Sequence, residues 1–500
     1  MKKTIFATIA VLFTAASSIN AYAEIVPKEP TKTSIYYNIA SPENLYWFAQ
    51  YCENNSTDYV YARLTNDIVI NGGEVTANST NVDEWEPIMD FNGSFDGNNY
   101  TISGLYVKGK EYAGLFGSTG TKASISDIII DKSYIEGTKY VGAVAGYNEA
   151  EFFDSCVNKS MVVSYTDGAN TGGIVGYHNS NSNFTTCINY GEIIGTDYTG
   201  GIIGTCEYSN QPLREFENYG TVTGVKYAGG IVGYMPCNPY SSSVTKSLNR
   251  GNIGATEKAG GIVGFSDYYE SSGSTGNYGW YMRSYNTIKS CYSSGKLSAA
   301  ETYGISGHRN GMVDVENCCY LEGTATDKSD STVYGIPIGG KKEEHPIGLE
   351  LSAQDFASGE ATYILNGSST PANSTWRQNI GTDAYPYLND TNRGLVYRNI
   401  TTGEYSNTED DLHKACRTLG DTDANSIIDI RDVIQILKKS ESSDHFMPIE
   451  TASSNTQPDG IFGDINGDNT VSDTDATILL KVIESGNIDM NVGRYVLGAY

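Results

Sequence analysis

The sequence predicts an all-β right-handed parallel β-helix solenoid with end caps, followed by a small all-α domain built on two oxygen-rich loops. Three observations predict it: a five-residue glycine signature recurring about every 30 residues, an Asn-centred block at fixed phase to it, and a change of texture after Asn389 to two Asp-rich segments, each running into an apolar-periodic stretch.

The signature reads Ala113-Gly114-Leu115-Phe116-Gly117, then Gly142 to Gly146, Gly172 to Gly176, Gly200 to Gly204, Gly229 to Gly233 and Gly260 to Gly264, closing with Tyr303 to Gly307. Its final glycines are 29, 30, 28, 29, 31 and 43 residues apart, the longest step holding a Tyr/Ser/Gly-rich insertion near Asp267 to Tyr285. The second block is Cys156-Val157-Asn158, Cys187 to Gly191, Phe216 to Gly220 and Ser247 to Gly251. A third apolar position follows at Ile193, Val222, Ile253 and Leu297. Each repeat thus holds three short β-branched runs separated by Gly, Asn and Ser turns, too closely spaced for helices.

Units this small cannot bury an apolar face alone, whereas stacked units pair each strand with its counterpart about 4.8 Å away. Ile174, Ile202, Ile231 and Ile262 then become an interior column, and Asn158, Asn189, Asn218 and Asn249 an amide ladder at a turn. Cys156, Cys187, Phe216, Ser247 and Cys291 share a column, so these thiols read as small interior fillers. The nine cysteines resemble neither a disulfide framework nor a zinc site, which in an exported chain points to reducing or anaerobic surroundings. Right-handedness follows from the general rule for parallel crossovers.

Open solenoid ends need covers. At the front, Ser41-Pro42-Glu43 starts a helix with Leu45, Phe48 and Ala49 as its apolar stripe, followed by irregular first strands at Leu64 to Ile68 and Phe95 to Ile102. At the back, Ser352 with Asp355 caps a helix running through Phe356 and Tyr363 to Leu365, and Trp376 with Ala384 to Leu388 completes the cover. The repeats resemble the GLUG-motif repeats of bacterial surface and secreted proteins over roughly Ile35 to Leu388. That resemblance implies a β-helix and leaves function open, since some such repeats are adhesin-like and others are attached to enzymes.

The first Asp-rich segment offers Asp421, Asp423, Asn425, Ile427, Asp429 and Asp432; the second offers Asp464, Asn466, Asp468, Thr470, Ser472 and Asp475. Oxygen side chains fall at loop positions 1, 3, 5, 9 and 12, with a backbone carbonyl at 7 from Ile427 or Thr470, the spacing a calcium ion needs. Each loop leads into one apolar-periodic helix and none precedes it. The pair resembles a type I dockerin over about Leu412 to Ile488. The resemblance implies two Ca2+ sites and a cohesin domain of a cellulosome-type scaffold as partner, met through Ile430, Arg431, Lys438, Asp473, Thr474 and Lys481. Position 6, usually Gly, is Ser426 in the first loop and Asn469 in the second, so the first site is expected to be weaker. The loops begin 43 residues apart, with an insertion at Glu441 to Asp459, and their unlike 10/11 pairs argue against interchangeable docking faces.

Lys2 and Lys3, the apolar run Ile5 to Phe13 and Ala21-Tyr22-Ala23 form an export signal cleaved before Glu24; that run is too short to span a bilayer. The expected organisation is a signal peptide (1–23), an N-terminal cap and first coils (24–110), repeats (111–322), a C-terminal cap and linker (323–407) and a dockerin-like domain (408–500). A secreted, scaffold-associated chain is expected. The net charge of −26, from 59 acidic and 33 basic residues, disfavours nucleic acid and anionic membrane as partners.

Catalysis finds little support. His178, His308, His345, His413 and His445 fall in no HExxH, no GxSxG occurs, and Asp154, Glu192 and Glu217 read as solvated strand-face carboxylates. Tyr147, Tyr177, Tyr234 and Phe265, each directly after a signature glycine, form an aromatic column able to stack on sugar rings where exposed and serving as core where buried. The preferred reading is a dockerin-bearing module that binds carbohydrate or cell-surface material; the alternative is a polysaccharide hydrolase or lyase.

Overall fold

The computed structural model describes residues 24–414, apart from 56–58, 182, 210, 238–240, 276–277, 309–312, 326–331, 335–343, 347, 368–373, 400–401, 403 and 410–412. The export signal and all the calcium and docking residues from Asp421 to Lys481 lie outside the described residues. The described chain is a parallel β-solenoid. One coil runs from Val175–Asn179 in sheet C to Asn183–Thr185 in sheet A. It then passes through three short strands of sheet B, Ile188–Asn189, Ile193–Ile194 and Tyr198–Gly200. The next coil repeats it in parallel register, pairing Val175 with Ile203, Thr185 with Arg214, Asn189 with Asn218, Ile193 with Val222 and Gly200 with Gly229. Five strands occur per coil rather than three, the additional two being Asn183–Thr185 and Tyr198–Gly200. Sheet A already includes Tyr36–Ile39 and Tyr61–Leu64, so stacking begins well before the first glycine signature.

The isoleucine column is fully buried. Beside it runs the asparagine ladder: Nδ2 of Asn158, Asn189 and Asn218 each donates to Oδ1 of the next asparagine, at 2.8, 2.8 and 2.7 Å, and Asn249 donates to Ser293 Oγ at 3.2 Å. Each Nδ2 also reaches the carbonyl two residues on, for example Asn189 to Gly191 O at 3.0 Å, while the Gly191 N–H returns a bond to Asn189 Oδ1. The two glycine blocks are coupled through this ladder. A Cβ on Gly201 would lie 2.1 Å from Gly230 O and 2.6 Å from Asn218 Cγ, and one on Gly220 would lie 1.9 Å from Gly191 O. Both positions need glycine for close approach.

From Ser124–Ser126 onward, each coil bends between sheets A and B through one left-handed residue: Asp127, Ser155, Thr186, Glu215, Lys246, Ser290 and Asn317, with φ from 48° to 63°. Non-glycine residues, and β-branched Thr186 most of all, pay for this conformation in steric strain. The thiol column sits directly after these bends and is more than filler. The Cys156 N–H donates to Cys187 Sγ, while Cys187 Sγ donates to Thr185 O. Ser247 makes the same two bonds with its hydroxyl, accepting from the Phe216 N–H and donating to Thr245 O.

Helix α1, Pro42–Asn54, follows Ser41 with Pro42 in its first turn as expected, and buries Leu45, Phe48 and Cys52. Phe48 packs on Phe91 and Phe95, closing the interior at the first coils. At the other end the Ser352–Asp355 capping box is present, but the expected single helix is broken at Gly359 (φ 101°) into α2, Ala353–Ser358, and α3, Glu360–Asn366. This segment folds back along the flank. Phe356, Leu365 and Trp376 cover Leu248, Tyr292 and Cys319 on the outside of sheet B, and Trp376 Nε1 donates to Ser290 O. Arg250 clamps it: its guanidinium lies among the rings of Tyr219, Tyr292, Tyr385 and Tyr387 and donates to Pro386 O at 2.8 Å. The long repeat step is an antiparallel hairpin, Tyr268–Thr275 with Tyr278–Tyr285, inserted between sheets C and A.

Asn218→Ala removes the acceptor of Asn189 Nδ2 and the donor to both Gly220 O and Asn249 Oδ1. A loss of about 2–4 kcal/mol is expected in urea unfolding; an unchanged midpoint would show that the ladder contributes nothing.

Candidate functional site

Among the described residues, side chains of several coils converge along the corner where sheet B passes into sheet C. Sheet C supplies Tyr147, Tyr177, Tyr234 and Phe265, whose positions align coil to coil. The column expected from sequence therefore exists, interrupted by Thr205, which pairs in register with both Tyr177 and Tyr234. Its residues are half-buried except Phe265, which is 6% exposed. Sequence reading missed a second column on the last strands of sheet B: Tyr112, Tyr140, Asn170, Tyr198, Tyr227 and Lys258. Its signal was present, since Tyr140, Tyr198 and Tyr227 each stand two residues before a signature's first glycine.

The columns interlock diagonally. Tyr140 meets Tyr177 at 5.0 Å, Tyr198 stacks on Tyr234 at 4.8 Å and Tyr227 on Phe265 at 4.6 Å, while Tyr147 and Tyr177 are parallel within 9°. Rings cover one another's faces at Tyr147–Tyr177, Tyr198–Tyr234 and Tyr227–Phe265, whereas Tyr140 meets Tyr147 and Tyr177 tilted by 52°. Carboxylates receive tyrosine hydroxyls: Tyr147 donates to Glu149, Tyr177 to Glu207 at 3.0 Å and Tyr303 to Glu301. Burial first, and these carboxylates second, raise the phenol pKa values of Tyr147 and Tyr177. Lys139 lies over Tyr112 and Tyr140, Lys226 over Tyr198 and Tyr227, and Lys258 over Phe265 and Tyr303. Glu111 pairs with Lys139 and Glu301 with Lys258.

The other residues singled out from sequence serve the interior or the flank. His178 is fully buried against Phe184, with Asn148 Nδ2 3.0 Å from its Nδ1, and burial holds its pKa down at about 3. Glu217 departs from the solvated face expected of it: it accepts from Tyr219 Oη beside Arg250, and burial raises its pKa. Asp154 accepts from Ser155 and Thr185 at the strained bend, while Glu192 is exposed. Cys52, Cys156, Cys187, Cys206, Cys291, Cys318 and Cys319 form no disulfide, and burial pushes the thiols of Cys52 and Cys206 up to about 12. No group of three or more metal-ligating side chains occurs among the described residues, and none of their helices is long and apolar enough to cross a membrane.

No family model matches the chain. Over 125 residues it is 28% identical to halomucin of Haloquadratum walsbyi (strain DSM 16790 / HBSQ001), which amounts to 23% of this chain and 1% of halomucin. The chain therefore spans only a small fraction of that relative. A candidate immunoglobulin A1 protease from Bacteroides ovatus, known from a crystal structure, superposes over 73% of this chain and 95% of its own with a TM-score of 0.43 and 18% identity.

Two measurements check these interior assignments. Cys187→Ser should leave stability within about 1 kcal/mol, because Ser247 shows a hydroxyl making the same bonds, whereas Cys187→Ala should cost about 1–3 kcal/mol by orphaning the Cys156 N–H. Equal stabilities would refute the hydrogen-bonding role. For His178 the folded pKa lies below the unfolded one, so the unfolded state gains the proton first and stability falls as pH drops from about 6.5 towards 3. By pH 4 the loss is roughly 3 kcal/mol, and His178→Gln should flatten that part of the stability profile. An equally steep profile in the variant would exclude it.

Proposed function

We propose that this chain is an exported, non-catalytic module that holds a glycan on its solenoid and docks through its C-terminus onto a cohesin-bearing scaffold. The observation that carries the glycan half is the half-buried aromatic strip. Tyrosines recur along it on coils about 4.8 Å apart, and Glu149, Glu207 and Glu301 accept from the hydroxyls of Tyr147, Tyr177 and Tyr303, a polar-aromatic edge suited to a polymer of repeating hydroxylated rings. Tyr147, Tyr177, Tyr234 and Phe265 form one side of it, with Tyr140, Tyr198 and Tyr227 opposite.

The docking half rests on sequence. Two loops matching at five ligand positions each favour calcium at Asp421 to Asp432 and Asp464 to Asp475, with the first site weaker. Calcium ordering of these loops would set the helices that follow them, bringing Ile430, Arg431, Lys438, Asp473, Thr474 and Lys481 to a cohesin surface. The N-terminal signal supports export, and attachment to a scaffold would keep the solenoid near a cell surface.

Affinity electrophoresis of the purified chain through gels containing soluble xylan, β-glucan, galactomannan or pectate should show retardation in at least one. The Tyr177→Ala/Tyr234→Ala variant should migrate freely while keeping its far-UV spectrum. Retardation unchanged in that variant would discard the strip, and release of reducing ends or unsaturated products would replace the binding reading with an enzymatic one. Cohesin pull-down should be lost with chelator and in Asp421→Ala/Asp464→Ala; capture without calcium would refute the docking assignment.

A further inference from the structure

We infer that the glycan held on the strip is an uncharged, β-1,4-linked chain lying along the solenoid axis, one disaccharide to every two coils, with Glu149, Glu207 and Asp267 accepting its hydroxyls in turn. This rests on the glycan-binding reading above and adds to it the class of glycan and its direction.

The three carboxylates form a rail on the sheet C side of the strip. Each stands two residues after a member of the sheet C column: Glu149 after Tyr147, Glu207 after Thr205 and Asp267 after Phe265. The alternation of a strand therefore puts all three on its outward side. All are half-buried. Each acts on a tyrosine of the column. Tyr147 donates to Glu149 at 2.9 Å and Tyr177 to Glu207 at 3.0 Å, while burial first and the Asp267 charge second raise the pKa of the Tyr234 phenol. In the two coils between, the same offset after Tyr177 and Tyr234 holds uncharged Asn179 and Pro236. Acceptors thus recur at every second coil, about 9.6 Å apart.

That period selects a linkage. In an extended β-1,4-linked chain each ring is turned over relative to the one before, so the same hydroxyl edge returns once per disaccharide. Such a repeat is commensurate with two coils, whereas β-1,3-linked glucans coil and lose the match. The rail also selects a charge. Carboxylates accept from hydroxyls but oppose a uronate at the same spacing. The lysines over the rings do not reverse this: Lys139 and Lys258 are paired with Glu111 and Glu301, and Lys226 stands over Tyr198 and Tyr227 of the sheet B column. A neutral polymer meets both demands, with apolar ring rims against the tyrosines and hydroxyls against the acceptors.

Affinity electrophoresis of the full chain in galactomannan, xylan, laminarin (a β-1,3-linked glucan) and polygalacturonate separates linkage from charge. Galactomannan or xylan should retard the chain, and laminarin and polygalacturonate should not. In the retaining gel, Glu207→Gln, which keeps the shape and removes the charge, should weaken affinity by roughly fivefold to tenfold, the difference between a charged and a neutral acceptor. If that variant shifts the thermal midpoint, Glu149→Gln carries the same expectation. Retardation by polygalacturonate or laminarin as strong as by the neutral β-1,4-linked chains, and abolished in Tyr177→Ala/Tyr234→Ala, overturns the rail and leaves the strip standing. Unchanged retention of folded Glu207→Gln also overturns the rail. No retardation of the native chain in any gel overturns both.

Discussion

Parallel stacking in register imposes one demand on this molecule: a residue must suit the residues one coil before and after it, because they occupy the same place about 4.8 Å away. The asparagine column shows the demand at its strictest. A primary amide has donors and an acceptor that can serve the next coil and its own turn at once, so one side chain satisfies the buried turn and ties the stack. The glycines on either side follow from it, since a Cβ at Gly201 would strike the Asn218 amide. The cysteine and serine column obeys the same logic in a smaller space, where thiol and hydroxyl exchange places because both accept one backbone N–H and donate to one carbonyl.

This demand also explains what the sequence could reveal. Columns repeat at a fixed period, so the glycine signature, the asparagines and the isoleucines were legible without coordinates. The left-handed bend was not, because Ser155, Thr186, Glu215 and Lys246 share a backbone conformation and no side-chain property. The flank cover was hidden for another reason: Arg250 and Pro386 are 136 residues apart, and their hydrogen bond depends on how the end segment turns, not on any period. Gly359 was in plain view, yet the capping box and apolar spacing read through it as one helix. Half of the aromatic strip is legible from its place directly after the signature glycines, and the tyrosines two residues before them carry an equal signal.

The strip shows how a periodic scaffold can acquire a particular place. A uniform ladder is equivalent to itself at every coil and cannot specify where along it a partner sits. Two neighbouring substitutions, Asn170 and Thr205, remove that equivalence while leaving the hydrogen-bonded stack below unaltered. The hairpin at Tyr268–Tyr285 breaks the repeat too, through an insertion between sheets instead of a change within a column. Scaffold and distinctive features therefore occupy different layers, interior columns for the first and corners or insertions for the second.

The strained bend carries a consequence for length. From Asp127 on, each coil contributes one left-handed residue at this bend, so the conformational penalty grows with the number of coils. The contacts that offset it lie between coils, and a stack has one fewer interface than it has coils. A terminal coil thus bears a full penalty with half the compensation, and a short stack is a poor proposition however good its sequence. Helix α1 over the first coils supplies contacts that a missing neighbour would have made, and the Arg250-clamped segment ties the last coils together along their flank. Coil number and end covers are one variable: shortening the array or stripping a cover moves the molecule towards the same cooperative threshold, below which no coil stands alone.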